Sequence, residues 1–424
     1  MRRIARTPQV LAAVLFASSG TLNAAERYVD NSTPSACSNS TSGGSQSQPW
    51  CTINYAAHQV VPGDVVYVKN GTYNEDVYIE GKNGGENYIT FRNYPGHSPV
   101  IRGRGVGNGR NKIIDSSFVK FIGFTITNFQ QGIFVERSNN IILQNLKVHE
   151  VGLEAVQIWS NSSFVTVQDS IIHDTGKLGR YGEGIYVGTA GSGQKSPPYD
   201  NTHDILLKGN TIHNTTDECI EVKEGAHNVI IDGNTMHDCL LDPRITSPGW
   251  GSIELMQPEK FYGSDPNHIV KNNIIKTAKT GIGVHTGATV FNNVIYGQIA
   301  GYRGISISNT DPENYVRRIY HNTIDLPEPQ AVVVSGRVSV DIRNNIGPTS
   351  AGNMAARDVF FQSKAKGDYH LAPGAAPIDA GVNIVALVPQ DIEGRSRSDG
   401  TRPDLGAYEF GVGAGAASIP VQRR

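Results

Sequence analysis

Four kinds of chemistry-bearing side chain recur at related places in the middle of this 424-residue chain. Glu154, Glu183 and Glu218 each open a short Val/Ile-rich segment, and Asp217 precedes Glu218. Glu221 and Glu254 take the fourth place of two successive segments, while Lys223 and His285 take a sixth place. Arg244 follows Lys223 by 21 residues, and Trp159 and Tyr186 offer aromatic faces. Carboxylates crowded together repel, so they need a cation, a proton or wide solvation. Hard carboxylate oxygens suit Ca²⁺. Two readings therefore stand side by side: a Ca²⁺ site made by Glu183, Asp217, Glu218 and Glu221, or a solvated acidic ladder. A lone lysine beside acids is an ordinary salt bridge. Acids, Lys223, Arg244, His285 and aromatics converging on one face instead suit a groove for a charged sugar chain. Aromatic faces stack on pyranose rings there, and cations meet acidic groups.

That convergence depends on segments that repeat. Val148-His149-Glu150, Ile172-His173-Asp174, Ile212-His213-Asn214 and Met236-His237-Asp238 each follow a β-like run, with their histidines 24, 40 and 24 residues apart. Asn-rich corners continue at Asn273, Asn293, Asn322 and Asn345, separated by 20, 29 and 23 residues. A unit of this length with short alternating strands, turn residues and no 3.6-residue period cannot bury its apolar face alone, and must stack. The rows align as Gly132 to Glu136, Glu154 to Trp159, Glu183 to Gly188, Glu218 to Lys223, Gly251 to Met256, Thr280 to His285 and Arg303 to Ser308. Third and fifth places are aliphatic throughout and point inward, so the fourth and sixth are expected to face solvent. The long loop before Glu183 leaves its alignment with Glu154 and Glu218 open.

The expected fold is all-β: a single-stranded right-handed parallel β-helix with three short strands per coil. A short amphipathic helix over Trp50–Gln59 would cap its N-terminal end, and Asp391–Phe410 its C-terminal end, hiding exposed strand edges. The chain divides into a signal peptide (1–24), an N-terminal cap and first coils (25–110), a β-helix core (111–350), C-terminal coils and cap (351–410) and a mobile tail (411–424). The histidine column sits beside a corner and repeats with the fold, so it is read as structural stacking. The glycine-rich stretch 103–109 is not followed by a helical pattern and is read as a turn.

The start of the chain resembles a secretory signal. Arg2, Arg3 and Arg6 precede the apolar stretch Val10–Ala17, and small residues surround a cut after Ala24. Without those residues, 34 basic face 39 acidic side chains, a net −5, which gives no footprint for nucleic acid. No later run suits a membrane span. A monomeric protein, secreted or periplasmic, is expected. In that oxidising setting Cys37 and Cys51, flanking a Ser/Gly/Asn loop, are expected to bond. Cys219 and Cys239 fall at different points of the repeat, and Cys219 is expected to be a buried free thiol.

With these segments in view, the chain resembles bacterial right-handed β-helix proteins. The similarity lies in Tyr28-Val29-Asp30, Pro49-Trp50-Cys51-Thr52-Ile53, Pro62-Gly63-Asp64-Val65-Val66-Tyr67-Val68 and Gly71-Thr72-Tyr73 at the start. Asp404-Leu405-Gly406-Ala407-Tyr408-Glu409 carries it at the end. Two polysaccharide-lyase families on this fold offer finer matches. The chondroitinase-B/alginate-lyase family implies an acidic Ca²⁺ ligand at Glu218, a Lys base at Lys223 and an Arg at Arg244. Thr216 stands where that family has a second acidic ligand. Asp217-Glu218-Cys219-Ile220-Glu221 resembles the calcium cluster of the pectate-lyase family with a Lys base, with Glu replacing two Asp. The resemblance implies a lyase that cleaves a uronate-containing polysaccharide by β-elimination, with Lys223 and Arg244 catalytic and Trp159, Tyr186, Glu254 and His285 binding substrate. A glycoside hydrolase using Glu221 and Glu254, a C5-epimerase, and a non-catalytic carbohydrate-binding β-helix remain as alternatives.

Overall fold

The computed structural model describes residues 24–32, 35–191, 199–256, 265–308, 315–326, 329–398 and 400–411. The signal-peptide segment before Ala24 and the tail after Gly411 lie outside the described residues. Among the described residues no helix is long and apolar enough to cross a membrane.

Short strands rich in Val and Ile build three long sheets of twelve, ten and ten strands. Every pairing within them is parallel, and each strand bonds to its counterpart one coil away. One edge of the largest sheet is Glu26–Val29 and the other Val340–Arg343. Side-chain alternation sends one aliphatic set inward, where Ile133, Val156, Ile185, Ile220, Ile253, Ile282 and Ile305 stack as successive register partners. All are buried. The right-handed parallel β-helix expected from the rows is therefore the fold.

The corners explain the abundance of asparagine. Asn145, Asp169, Asn272, Asn292 and Asn344 all adopt left-handed backbone angles, which short polar side chains tolerate better than others. Just after this position runs a buried ladder, Asn210, Asn234, Asn273, Asn293, Asn322 and Asn345, ending on half-buried Asn353. Each amide donates to the next side-chain oxygen at 2.8–3.0 Å. The histidine column also stacks. Rings of His149, His173, His213 and His237 lie 4.9, 4.9 and 4.6 Å apart and nearly parallel.

The N-terminal helix runs Ile53–Gln59, three residues shorter than the expected Trp50–Gln59. Thr52 caps it by accepting from the Tyr55 N–H, and Glu75 accepts from the Ile53 and Asn54 N–H groups at 2.9 Å each. Trp50 instead forms a bridge to Val29. Ile53, Ala56 and Ala57 bury against the first coils. Beyond Arg343 the long sheets end. An antiparallel pair, Phe361–Ser363 with Asp368–Leu371, follows, and the last described segment docks along the asparagine corner. There the buried Arg397 guanidinium donates to Asn292 at 2.8 Å and to the Gly406 carbonyl at 3.0 Å.

Cys37–Cys51 is a disulfide, as expected. Cys219 is not a free thiol: it is bonded to Cys239. The reason lies in the loop after His237, where Leu240 and Asp242 donate backbone hydrogen bonds to Asp217 and Thr216 at 2.8 Å. The chain thus doubles back against the start of the Glu218 row and brings two cysteines from different points of the repeat together.

Candidate active site

The site lies on the ten-stranded sheet that carries the aligned rows. Its register confirms the row alignment: Tyr186 pairs with Glu221, Glu221 with Glu254, and Glu254 with Gly283. The loop before Glu183 does not displace it. Ala155 donates to the Glu183 carbonyl and Gly184 to that of Glu218, so Glu154, Glu183 and Glu218 follow one another coil by coil.

Solvent is where the simple alternation argument fails. Fourth-place side chains do point away from the core, but Glu221 and Glu254 are each 1% exposed, and Glu183 and Glu218 are 3% and 1%. Stacked at the coil spacing, the side chains wall one another in. Tyr186 flanks Glu221 on one side, Glu254 on the other, and the Lys223 ammonium lies over the Tyr186 ring, 5.2 Å from the centroid. The solvated acidic ladder is thereby corrected to a buried acidic cluster.

Glu183, Glu218 and Glu221 each place a carboxylate oxygen within 4.8 Å of the other two. Glu183 accepts from the Gly182 N–H at 2.8 Å, and Glu221 is ion-paired with Lys223. Glu218 Oε1 and Glu221 Oε2 are buried without a partner, as is Asp217 Oδ1. Burial pushes the carboxyls of Glu218 and Glu221 well above the usual range, and neighbouring acids raise Glu218 further. Glu183 and Asp217 are raised too, burial being the main cause. Burial pulls the Lys223 ammonium down, but the Glu221 charge and the acids behind it outweigh this and hold it above the ordinary value. Burial and the same acids keep the Tyr186 phenol protonated.

This donor set fits a hard divalent cation: three convergent carboxylates, two of them with orphaned oxygens, in a cluster where Lys223 pairs with Glu221 alone. Asp217 lies beside these three rather than among them. Thr216 does not take a ligand position, since its hydroxyl donates to the Thr175 carbonyl at 2.9 Å.

Arg244 is on the loop after His237, not on the sheet. Its guanidinium binds Asp242, whose carboxyl it lowers to about 2, and donates to the Gly179 carbonyl at 2.5 Å. Its side chain is 67% exposed and its charge reaches Asp217. Lys279 fixes the loop by donating to the Asp242 and Ile245 carbonyls at 2.9 and 2.7 Å. Trp159 is half-buried and meets Phe134 edge-on at 5.7 Å. Glu154 is not among the three clustered glutamates, and it accepts from Gln131 at 2.8 Å.

Further along the sheet lies a second polar group. Glu254 accepts from the Gly251 N–H at 2.8 Å and from His285 Nε2. The His285 Nδ1 atom is 2.6 Å from Ser308 Oγ. Gly283 makes room for this arrangement, because a Cβ there would sit 1.9 Å from Glu254 Oε2. Lys279 and Ser308 were not singled out in the sequence. Ser308 shares the sixth place with Lys223 and His285, so the row alignment contained the signal.

The comparisons with known proteins agree with this architecture. A model described as Pel9A-like, right-handed β-helix region, matches residues 33–235, and a right-handed β-helix region model matches residues 182–346. The chain is similar to an uncharacterized protein, YwoF, of Bacillus subtilis, at 30% identity over 88 residues. That match takes in 20% of this chain and 19% of the relative. Among solved structures, it resembles a rhamnogalacturonan lyase at a TM-score of 0.57 and 15% identity, covering 80% of this chain and 90% of the other. An alginate lyase from Paenibacillus sp. FPU-7 aligns at 0.54 and 17% identity, over 72% and 96% of the two chains. A GH136 lacto-N-biosidase from Eubacterium ramulus aligns at 0.50 and 13%, over 78% and 67%. At these identities the likeness is one of fold, and the fold serves both lyases and a hydrolase. The chain is a right-handed parallel β-helix resembling polysaccharide lyases.

Proposed function

We propose that this protein is an exported polysaccharide lyase acting on a uronate-containing polymer. The observation that carries the reading is the buried group of Glu183, Glu218 and Glu221, with orphaned oxygens beside Lys223 and Tyr186. Two disulfides fit an oxidising compartment. Carbohydrate-acting neighbours of the same fold support a sugar polymer as substrate.

In β-elimination a base removes the proton alpha to the uronate carboxylate, the bond to the 4-linked oxygen breaks, and a carbon–carbon double bond forms. The leaving oxygen takes up a proton. Negative charge grows on the substrate carboxylate, so the site must offer positive charge there. Ca²⁺ held by Glu183, Glu218 and Glu221 would supply that charge and neutralise the carboxylates. Lys223 is the base: once those carboxylates are engaged, their pull on its proton is relieved and burial favours the neutral amine. Exposed Arg244, at the same edge as Asp217, meets a substrate carboxylate. Trp159 and the Tyr186 face line the path of the sugar rings, and Glu254 and His285 lie further along it.

Lys223→Ala tests the assignment. Loss of a general base costs roughly a hundred- to ten-thousand-fold in rate. The measurement is the initial rate of unsaturated product on an active uronate polymer, with circular dichroism as the folding control. Near-normal rates in a folded variant would remove Lys223 from the mechanism. Arg244→Ala should weaken both binding and rate, since it would hold the carboxylate before and during reaction.

A further inference from the structure

The lyase reading leaves one constellation with more chemistry than a binding role needs. Glu254 is 1% exposed and fixed by the Gly251 N–H and by His285 Nε2. The His285 side chain is 18% exposed, and its other nitrogen lies 2.6 Å from the hydroxyl of half-buried Ser308. Exposure thus rises from the buried acid to the half-buried imidazole and hydroxyl. The acid can hold the Nε2–H tautomer, which leaves Nδ1 as an acceptor facing the hydroxyl. A hydroxyl within reach of a base, with that base oriented by a third group, is the arrangement that activates a serine nucleophile. The contacts alone would also suit a structural hydrogen-bond chain. Gly283 argues against that, because it vacates the volume Glu254 needs in order to reach the histidine. The three residues come from three successive coils.

We propose that Ser308, His285 and Glu254 form a second catalytic centre that cleaves carboxylic esters, the class carried as acyl or alkyl esters on sugar polymers. Ser308 Oγ attacks the ester carbonyl as its proton passes to His285 Nδ1, while Nε2–H stays on Glu254. The tetrahedral adduct collapses, the ester C–O bond breaks, and the alcohol leaves with the proton from His285. An acyl-Ser308 remains. Water, giving its proton to the same nitrogen, attacks this acyl group, releases the acid and restores the serine. No oxidant or metal is required. Arg303 brings a guanidinium to the Ser308 row, donating to Ser306 at 2.9 Å, and supplies positive charge near the developing oxyanion. Lys223 and His285 hold the same place in rows two coils apart, about 10 Å along the axis at the usual strand spacing. One polymer chain lying along the sheet would therefore pass both centres.

The test uses the whole protein and no uronate, so it stands independently of the lyase reading. 4-Nitrophenyl acetate reports turnover, and a fluorophosphonate probe followed by peptide mass spectrometry reports the nucleophile. Expected results are covalent labelling at Ser308, and ester hydrolysis that falls about a hundredfold or more in Ser308→Ala and in Glu254→Gln. Wild-type hydrolysis should rise with pH as His285 loses its proton, whereas a merely structural serine would show no such profile. Melting curves check that the variants fold. If Glu254→Gln fails to fold, Ser308→Ala and the labelling decide. No labelling at Ser308, or wild-type hydrolysis no faster than that of folded Ser308→Ala, overturns the proposal.

Discussion

The asparagine corner and the glutamate rows are both columns of buried polar side chains stacked at the coil spacing, but they are built to opposite ends. Along the corner each amide has a donor and an acceptor partner. Asn293 donates to the Val270 and Phe291 carbonyls at 3.0 Å and to Asn322 at 2.9 Å, while its own oxygen receives the Asn273 backbone and side chain. Along the glutamate rows, oxygens of Glu218 and Glu221 have no partner, and like charges face one another. A satisfied buried network stabilises; a half-satisfied one costs stability. The corner fixes the coil, while the rows leave buried carboxylate oxygens without a partner.

The largest break in this contrast should come from the corner. Asn293→Ala leaves the Asn273 groups and the Val270 carbonyl without partners, and each buried unsatisfied group costs about 1–3 kcal/mol. A loss of about 3 kcal/mol is expected, read as a lower denaturation midpoint with or without Ca²⁺. A change within experimental error would mean the ladder is decorative.

Glu218→Gln should act the other way. Without Ca²⁺ it removes a buried carboxyl from among other acids, so the chelated variant should melt higher than chelated wild type at neutral pH. Ca²⁺ at a hundredfold over its Kd should stabilise wild type by about 2.7 kcal/mol. The variant should gain much less. Equal responses to Ca²⁺ would mean the cation binds elsewhere or not at all.

Legibility in the sequence followed the same division. The coil, the inward places, the asparagine corner and the histidine stack were readable because each repeats with the fold's period. Cys219–Cys239 was missed because it depends on a doubled-back loop outside that period. The fourth place was misjudged as solvent-facing, since alternation tells which way Glu221 points but not that Tyr186, Glu254 and Lys223 close over it. The Asp242 partner of Arg244 lies two residues away, and no spacing rule singled it out. Ser308 shares the sixth place with Lys223 and His285, but its meaning depends on His285 reaching both ways.

The smallest predicted effect is in pH dependence, where two columns carry opposite signs. Glu218 and Glu221 titrate well above the ordinary carboxyl range when folded. In chelated protein the folded state therefore keeps protons that the unfolded chain has lost, and stability falls as pH rises through that window. Burial, with neighbouring imidazoles, lowers His149 and His213. Between their lowered values and the ordinary histidine value the unfolded chain binds more protons, so their contribution is lost as pH falls. Melting temperatures across mildly acidic to mildly basic pH should show the first slope weakened in Glu218→Gln and the second weakened in His213→Asn. With Ca²⁺ present the first slope should reverse, because the ion competes with protons for the same oxygens. Unchanged slopes would mean these groups titrate as they do in the unfolded chain.

The central claim is that the glutamate rows serve lyase chemistry through a cation. The most direct test is the near-ultraviolet absorbance of products from a panel of uronate polymers, followed over time with Ca²⁺ and with chelator. The account predicts unsaturated product on at least one polymer, dependent on Ca²⁺ and abolished by chelation. New reducing ends without that absorbance, or a rate indifferent to the ion, would contradict it.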